Sequence, residues 1–393
     1  MEPFSLYIHI PFCRTKCPYC DFNTYENIEH LTEDYIRSLI TEITYWSKYI
    51  DLNSKNKYIK SVFFGGGTPS YISANYIAQI MEFIETNFHL IENAEISIEC
   101  NPNDLSKEKI LSWKNSNINR LSIGAQSFSD KFLRVLGRDH DLVEISQGFL
   151  KARSLGLDNL NLDLIYGIPG QNIDDWKSTI NQALELKPDH ISMYGLTIEK
   201  NTKFDWMVTE GLMPNPDSDI AADMYEYVEK EMNCNGYIHY EISNWSLPGK
   251  ESKHNLTYWH SQEYIGIGAG AHSFYSGLRF WNVNSPNEYI NLLEKDQLIR
   301  NNTEIQRGFC AVSEIESYDD NTRITDKFIL GLRLIEGINE SIFTYSFIDL
   351  ITKKYEKEIK ELIDIGLLEI TNSSIKLTER GRLLANEVFY KFL

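Results

Sequence analysis

The feature that most constrains the fold is an alternation of short β-rich runs with longer helical patterns through the first 200 residues. Six runs of apolar and β-branched residues predict strands at 5–10, 60–64, 94–99, 120–123, 160–165 and 190–194. Apolar residues recur at helical spacing between them, at 32–50, 74–88, 107–113, 142–155 and 173–186. Strands that alternate with helices pair in parallel through right-handed crossovers. This α/β pattern predicts either a partial (βα)6 barrel or an open doubly wound sheet over residues 1–200.

The chain after residue 200 divides into two further parts. Residues 201–305 are less periodic and rich in Tyr and Trp, which predicts an extension that flanks one side of the barrel. Residues 306–393 contain two helical patterns, a short hairpin signal and a last helix from Thr378, which together predict a small helical, winged-helix-like domain. Many winged helices bind DNA, but this part lacks a face rich in Lys and Arg. We therefore expect it to be a packing module.

Composition excludes several classes of partner. The formal net charge of −18 disfavours binding to nucleic acid or to anionic lipid, which carry the same sign. No apolar run is long enough to cross a membrane, so we expect no integral membrane segment. The segment before Cys13 lacks the basic and apolar pattern of a secretory signal. These features and the sparse cysteines favour a cytoplasmic protein.

Three of the six cysteines lie within eight residues, in the order Cys13, Cys17 and Cys20. This C-x3-C-x2-C loop follows the first predicted strand directly, so three thiolates can point at one place. Iron–sulfur clusters usually take four protein thiolates, and three in a loop leave either a remote fourth ligand or one open iron. Zinc is the alternative, but a zinc site needs a fourth Cys or a well-spaced His. His9 lies within the strand and does not have that spacing.

Polar or glycine residues end the other predicted strands. The second strand runs into a triple glycine that includes Gly66 and Gly67 and is followed by Thr68, where a ligand can lie against bare backbone. In a parallel barrel the carboxyl ends of the strands form the face that binds ligands. We therefore expect the strand-end residues to meet the cysteine loop on one surface: Glu99, Gln126, Asp163 and Gly195.

Five sequence motifs together resemble the radical S-adenosylmethionine (SAM) family. They are Tyr7-Ile-His-Ile-Pro-Phe-Cys13, the C-x3-C-x2-C loop, Gly65-Gly-Gly-Thr-Pro-Ser, Asn119-Arg-Leu-Ser-Ile-Gly-Ala-Gln-Ser-Phe and Asp163-Leu-Ile-Tyr-Gly-Ile-Pro-Gly. Within that family they resemble the branch of oxygen-independent coproporphyrinogen III oxidases and the related HemW heme chaperones. The resemblance extends from residue 5 to the end of the chain. It favours the partial (βα)6 barrel over the doubly wound sheet.

The resemblance also implies cofactors and their ligands. In the family, the three cysteines hold a [4Fe-4S] cluster, and the amino and carboxylate groups of SAM chelate its fourth iron. Carried over by motif position, Tyr7, Gly66 and Glu99 would touch the bound SAM. The residues implied to line the nucleotide pocket are Gly67, Thr68, Gln126, Arg138, Asp163 and Gly195, with Tyr19 stacked near the adenine and His272 as a possible border residue.

Two departures from the oxidase pattern favour the chaperone branch. The oxidases carry a fourth cysteine two residues after the third, where this chain has Phe22. They also have a long segment ahead of the cluster strand, which begins here at about Ser5. The chaperones share both features with this chain, and they share the segment that begins at Gly236 and ends at Trp245.

The segment His254-Asn-Leu-Thr-Tyr258-Trp259 resembles the heme-binding motif of the chaperones. Imidazole is a common axial ligand of heme iron, and Tyr and Trp offer flat surfaces to a porphyrin. The sequence equally allows a His that is only hydrogen-bonded, and other histidines lie nearby: His239, His260 and His272.

The resemblance therefore predicts a chaperone that binds a [4Fe-4S] cluster, SAM and heme. It implies that the protein delivers heme to apo-hemoproteins and that it could form a homodimer. Two enzymatic alternatives remain from the sequence. One is a coproporphyrinogen III dehydrogenase, and the other is a further radical SAM enzyme that acts on a macrocycle.

Overall fold

The computed structural model describes residues 2–53, 57–299, 310–316, 318–371 and 374–393. Its first half contains six strands, β1 Glu2–Ile10, β2 Lys57–Gly66, β3 Leu90–Cys100, β4 Arg120–Gln126, β5 Leu160–Tyr166 and β6 His190–Gly195. The helices between them are α1 Thr32–Asn53, α2 Ala74–Asn87, α3 Lys107–Asn115, α4 Asp130–Val135, α5 Leu142–Ser154 and α6 Ile173–Glu185. Side-chain caps begin several of these helices, such as the reciprocal Asp141 and Glu144 pair at α5. Each predicted strand and helix is present.

The order of the strands decides between the two predicted architectures. The strands β1 to β6 pair in parallel, each with the next one along the chain. A doubly wound sheet reverses its strand order at a switch point, whereas a barrel adds each strand beside the last. The prediction of a partial (βα)6 barrel is therefore confirmed.

The barrel strands carry apolar residues on the outer face and polar residues on the inner face. On β1, Leu6, Ile8 and Ile10 are fully buried against the helices. The alternate residue Ser5 faces inward, where Ser61 on β2 donates a hydrogen bond of 2.7 Å to it. Each strand repeats the pattern because successive side chains point to opposite faces. The strand ends that reach the mouth of the barrel therefore carry polar side chains.

The extension after the barrel contributes to both edges of the sheet. Its elements are α7 Lys203–Thr209, α8 Ser218–Cys234, β7 Ile238–Glu241, β8 Asn244–Ser246, α9 Lys253–Trp259, β9 Tyr264–Ile267, β10 His272–Tyr275, β11 Leu278–Asn282 and α10 Pro286–Ile299. The strand β8 pairs with β6, and β9 pairs with β1 at the opposite edge. With β12 Val312–Glu316 beside β11, the sheet has twelve strands among the described residues. The sequence predicted that this extension flanks one side of the barrel, and in the structure its strands pair at both edges of the sheet.

The C-terminal part has its own apolar core. Its elements are α11 Asp320–Gly331, β13 Ile338–Asn339, α12 Tyr345–Lys354, α13 Glu356–Asp364, β14 Leu368–Ile370, β15 Ser374–Leu377, α14 Glu379–Leu383 and α15 Ala385–Tyr390. Phe328, Ile351, Leu362 and Val388 are among its buried residues. Three helices, a hairpin and final helical turns are present, so the predicted second helical pattern is divided into α12 and α13. The predicted boundary between 305 and 306 lies outside the described residues, and the domain limits stay predictions.

A buried carboxylate fastens the extension to the first helix. Glu42 on α1 accepts hydrogen bonds from the Gly268 amide at 2.9 Å, from Asn282 at 2.8 Å and from the Tyr289 hydroxyl at 2.5 Å. Gly268 lies between β9 and β10 and Tyr289 lies on α10, so one side chain holds three segments. Burial raises the pKa of Glu42 to about 7. No helix among the described residues has the length and apolar content that a bilayer crossing requires.

We predict that Glu42→Ala lowers the free energy of unfolding by about 2–4 kcal/mol, because three buried donors lose their acceptor. Urea denaturation followed by far-UV circular dichroism measures this change. Glu33→Ala on the same helix is the matched control, since its side chain is 75% exposed. The control should change stability by less than about 0.5 kcal/mol. Equal losses in both variants would contradict the anchoring role of Glu42.

Candidate functional site

The cysteine loop leaves the end of β1 and is tied to two neighbouring segments. The amide of Cys13 donates to the Tyr25 carbonyl at 2.9 Å, and the amide of Thr68 donates to the Phe12 carbonyl at 2.8 Å. These bonds hold the loop against the glycine turn that follows β2. Cys13, Cys17 and Cys20 are free thiols that line one cavity of about 360 Å³. We call it the smaller cavity.

Each of the three thiols has a polar neighbour. The Cys13 Sγ lies 3.4 Å from the Thr68 hydroxyl, and the Cys20 Sγ lies 4.0 Å from the Thr24 hydroxyl. Arg138 donates to the Cys17 Sγ at 3.4 Å. Burial raises the pKa of Cys13 to about 11, and the neighbouring thiols add to this shift. Within the described ranges, no three His, Cys, Asp or Glu side chains are arranged to hold a single metal ion.

The glycine turn after β2 brings backbone to the wall of the cavity. Gly66 has a φ of +113°, and a Cβ there would lie 2.4 Å from the His9 ring. A Cβ at Gly67 would lie 2.8 Å from the Phe12 carbonyl oxygen. Neither position accepts a larger residue without movement. The amide of Gly66 donates to the Glu99 carboxylate at 3.1 Å.

Two acidic side chains of the cavity lie on neighbouring parts of the sheet, Glu99 next to the end of β3 and Asp163 in the middle of β5. Burial, and then the charge of Asp163, raise the pKa of Glu99 to about 8. Asp163 accepts hydrogen bonds from Ser122 at 2.9 Å and from Asn161 at 2.8 Å, while burial raises its pKa. Burial and mutual repulsion both disfavour the charged forms of these two carboxyl groups. A cationic ligand between them would offset both, because its charge attracts each carboxylate.

The remaining predicted strand-end residues also line the smaller cavity. Gln126 has a φ of +62° and follows an irregularity in the pairing of β4 with β5. The backbone there is strained, and this irregularity redirects the Gln126 side chain. Arg138 bonds to Asn101 as well as to Cys17, and it donates to the Gly124 carbonyl at 3.3 Å. The other predicted residues that line this cavity are Tyr19, Gly66, Gly67, Thr68, Glu99, Asp163 and Gly195.

A larger cavity of about 990 Å³ adjoins the smaller one, and Gly66 and Glu99 line both. Tyr7 and His272 line only the larger cavity. Because the two cavities adjoin at Gly66 and Glu99, the contact of Tyr7 with SAM and the place of His272 at the border of its pocket stay predictions. The two aromatic residues of the predicted heme motif, Tyr258 and Trp259, also line the larger cavity.

His254 does not line either of these cavities. Its Nδ1 bonds to the Ser61 hydroxyl at 3.0 Å, and its Nε2 bonds to the Tyr258 hydroxyl at 2.8 Å. The ring is 1% exposed and stacks on Phe63 with centroids 5.0 Å apart. Burial lowers its pKa to about 3. Both ring nitrogens of His254 are thus engaged with hydroxyl groups in this structure, and its role as an axial ligand stays a prediction.

Sequence reasoning missed several residues of both cavities. Asn101 directly follows Glu99 and Cys100 at the end of β3, so the strand-end signal could have found it. Arg279 and Phe274 line the larger cavity from the hairpin of β10 and β11. These two antiparallel strands have only four and five residues, which is too short for a clear alternation of apolar and polar residues in the sequence.

Comparison with known proteins gives concordant matches. Residues 7–183 match the model of the radical SAM superfamily, and residues 318–384 match the HemN C-terminal domain. The heme chaperone HemW of Bacillus subtilis (strain 168) is 36% identical over 99% of each chain. The chain belongs to the HemW family. The HemW of Escherichia coli (strain K12) is 34% identical over 100% of this chain and 99% of its own.

A solved structure matches the HemW-family fold of this chain over its full length. It is described as coproporphyrinogen III oxidase (HemN) from Escherichia coli, a radical SAM enzyme. The TM-score is 0.82 with 23% sequence identity, and the match covers 100% of this chain and 90% of the other. Identity this low supports the shared fold alone. The predicted family and fold are thereby confirmed, and membership of the radical SAM superfamily implies a [4Fe-4S] cluster and SAM as cofactors.

We predict that Glu99 makes stability fall as the pH rises. Below about pH 4.5 the group is protonated in both the folded and the unfolded chain. Between pH 4.5 and about 8 only the unfolded chain releases the proton, so the free energy of unfolding decreases across that window. In protein without cofactors, Glu99→Gln should flatten this part of the profile measured by urea denaturation.

The matched control for this profile is Glu92→Gln, which changes an exposed residue of the same strand. The control should keep the slope of the original protein. An unchanged slope in Glu99→Gln would mean that Glu99 ionises in the folded chain near its ordinary pKa.

Proposed function

We propose that this protein is a heme chaperone that carries a [4Fe-4S] cluster, binds SAM and delivers heme to apo-hemoproteins. The observation that carries this proposal is the similarity to HemW chaperones over 99% of the chain. The adjoining cavities support it, because one has a thiol-lined wall and the other has the size and aromatic lining that a porphyrin needs.

The smaller cavity has residues that fit the cluster and SAM. Cys13, Cys17 and Cys20 would hold the cluster, and three thiolates leave one iron for SAM. When bound, the cluster can deliver an electron to SAM. Glu99 would accept hydrogen bonds from the ammonium group of SAM, because it is a buried carboxyl group without a cationic partner among the described side chains.

Other residues of this cavity would orient the nucleotide. Arg138 is held by Asn101 and the Gly124 carbonyl, so its charge lies beside Cys17 without rotamer freedom. Tyr19 contacts Phe204 with ring centroids 6.1 Å apart, which leaves a flat surface at the wall for the adenine. Gly67, Thr68, Gln126, Asp163 and Gly195 complete the proposed lining.

Phe22 favours the chaperone over the coproporphyrinogen III dehydrogenase. It occupies the position of the fourth cysteine of the oxidases, lines both cavities and is 67% exposed. Anaerobic incubation with coproporphyrinogen III, SAM and a reductant tests this choice. We expect no protoporphyrinogen, and its formation would make the protein a dehydrogenase.

We predict that the anaerobically reconstituted protein contains about four irons and four sulfides per chain. Cys13→Ala, Cys17→Ala and Cys20→Ala should each lose the cluster, because two thiolates do not hold it. Iron and sulfide analysis with the absorbance near 400 nm measures the loss. Cys234→Ala is the control, since Cys234 is exposed on α8.

Cys100→Ala is the sharper control for the cluster, because Cys100 also lines the smaller cavity and its thiol donates to the Ser122 carbonyl at 3.5 Å. This variant should retain its iron. Loss of iron in Cys100→Ala would overturn the three-thiolate cluster with an open iron.

Heme delivery is tested by comparing two rates. The heme-loaded protein is mixed with an apo-hemoprotein, and spontaneous release is measured separately with excess apomyoglobin as a scavenger. For a chaperone, transfer should be faster than release and should depend on the acceptor concentration. Transfer at the rate of release would contradict directed delivery.

The same proposal places the protein in the cytoplasm. It also includes the predicted homodimer, which gel filtration before and after heme loading tests.

A further inference from the structure

Arg120 is a buried cation on the inner face of the barrel. It is the first residue of β4, lies opposite Ser97 of β3 in the parallel register and shares its face with Ser122. The residue between them, Leu121, packs outward in the apolar core. The Arg120 side chain is only 2% exposed. Because guanidinium groups stay protonated in proteins, the interior of the barrel contains a permanent positive charge.

The Arg120 guanidinium has no bonding partner in the part of the chain that the structure describes. It forms neither a hydrogen bond nor an ion pair there, and its buried Nε has no acceptor. Glu95, on the same face of β3, is committed elsewhere, because its carboxylate accepts the Lys253 amide at 2.9 Å and the His254 amide at 3.1 Å. A buried charge is costly unless it is paired. Bonds to neighbouring groups therefore do not explain an arginine at this position.

Two carboxyl groups of the smaller cavity lie one step above Arg120 on the same inner face. Glu99 is opposite Ser122 in the register of β3 with β4, and Ser122 donates to Asp163 at 2.9 Å. Since Ser122 lies two residues beyond Arg120, the step along the strand is roughly 7 Å. A charge still acts at that separation inside a protein, because the low local dielectric screens it weakly.

The charge of Arg120 opposes the burial that keeps these carboxyl groups protonated. Burial raises the pKa of Glu99 to about 8, and Arg120 acts in the opposite direction. Burial also raises the pKa of Asp163, and Arg120 again opposes it. The other titratable groups that face Glu99 are uncharged because burial raises the pKa of each: Tyr7, Cys100, Tyr194 and Tyr258. Among the described groups that act on Glu99, Arg120 is thus the cation.

We propose that Arg120 is a positioning residue of the SAM site, which acts through Glu99 and keeps its carboxylate ready for the amino group of SAM. This inference rests on the proposed function, because that function assigns Glu99 to SAM. A charged acceptor binds a cationic donor more strongly than a neutral carboxyl group does. Arg120 does not contact the ligand itself, since it lines neither the smaller nor the larger cavity.

Two substitutions separate the charge of Arg120 from its packing. Arg120→Met removes the charge, and Arg120→Lys keeps it. In protein without cofactors, Glu99 makes the free energy of unfolding decrease between pH 4.5 and about 8, because its pKa is higher in the folded chain. Arg120→Met should move the upper end of this window upward by about one pH unit, since the opposing cation is gone. Arg120→Lys should keep the original window, and urea denaturation across this range measures both.

The same measurement in a Glu99→Gln background shows whether Arg120 acts through Glu99. In the double variant the displacement should vanish, because the group on which Arg120 acts no longer titrates. Arg134→Met is the matched control, since it removes the same charge from an exposed residue of α4. This control should keep the window of the original protein.

Calorimetric titration of the cluster-loaded protein with SAM tests the consequence for the ligand. At about pH 7, Arg120→Met should weaken SAM binding by up to about tenfold, because a rise of one unit in the pKa lowers the ionised fraction of Glu99 by that factor. The loss should become smaller as the pH rises, whereas a damaged site would bind SAM weakly at every pH. Absorbance of the cluster checks that each variant carries its cofactor.

An unchanged window in Arg120→Met would overturn the inference, and so would a displacement that persists in the Glu99→Gln background. Equal displacements in Arg120→Met and Arg120→Lys would assign Arg120 to packing and overturn it as well. Failure of the original cluster-loaded protein to bind SAM would instead remove the proposed function. The window of the protein without cofactors would still measure the effect of Arg120 on Glu99, so the two failures are distinguishable.

Discussion

The structure depends on the separation of side chains across the six parallel strands. Outward residues such as Leu162 are buried against helices, while the inward residue Asn161 bonds to Ser122 at 2.6 Å and to His190 at 2.7 Å. Buried polar groups are costly unless they are paired, and on β4, β5 and β6 these inward side chains form a hydrogen-bonded network. At the mouth the network ends, and the polar side chains there face the smaller cavity. The barrel thereby places polar side chains at its carboxyl end, where the cysteine loop and the glycine turn complete the smaller cavity.

The helix α9 closes the interior of this barrel. Thr257 bonds to Ser5 at 2.9 Å, and His254 bonds to Ser61, so the helix satisfies inward groups of β1 and β2. Glu95 on β3 accepts the amide of His254 at 3.1 Å. The conspicuous histidine of the aromatic motif therefore supports the barrel from within. Tyr258, one turn later, lies between this network and the larger cavity, which links packing inside the barrel to the shape of that cavity.

The sequence predicted the fold through period and spacing, and it predicted the smaller cavity through the strand ends. Cys13, Glu99 and Asp163 follow this rule because a parallel barrel puts all its strand ends on one side. It could not distinguish the surroundings of His254 from those of His272, because a sequence does not show which histidine nitrogens are already bonded. Residue type and aromatic neighbours were alike at both positions. The two positions differ in the structure: the register of β10 with β11 places His272 on an open face, whereas His254 is buried on α9.

The β10–β11 hairpin combines rigid support with an open face. On one face, Phe280 stacks on Trp46 of α1 with ring centroids 5.7 Å apart. On the other face, His272 is exposed and lines the larger cavity. Successive side chains of a strand point to opposite faces, so one short hairpin can pack on a helix and form a cavity wall at the same time.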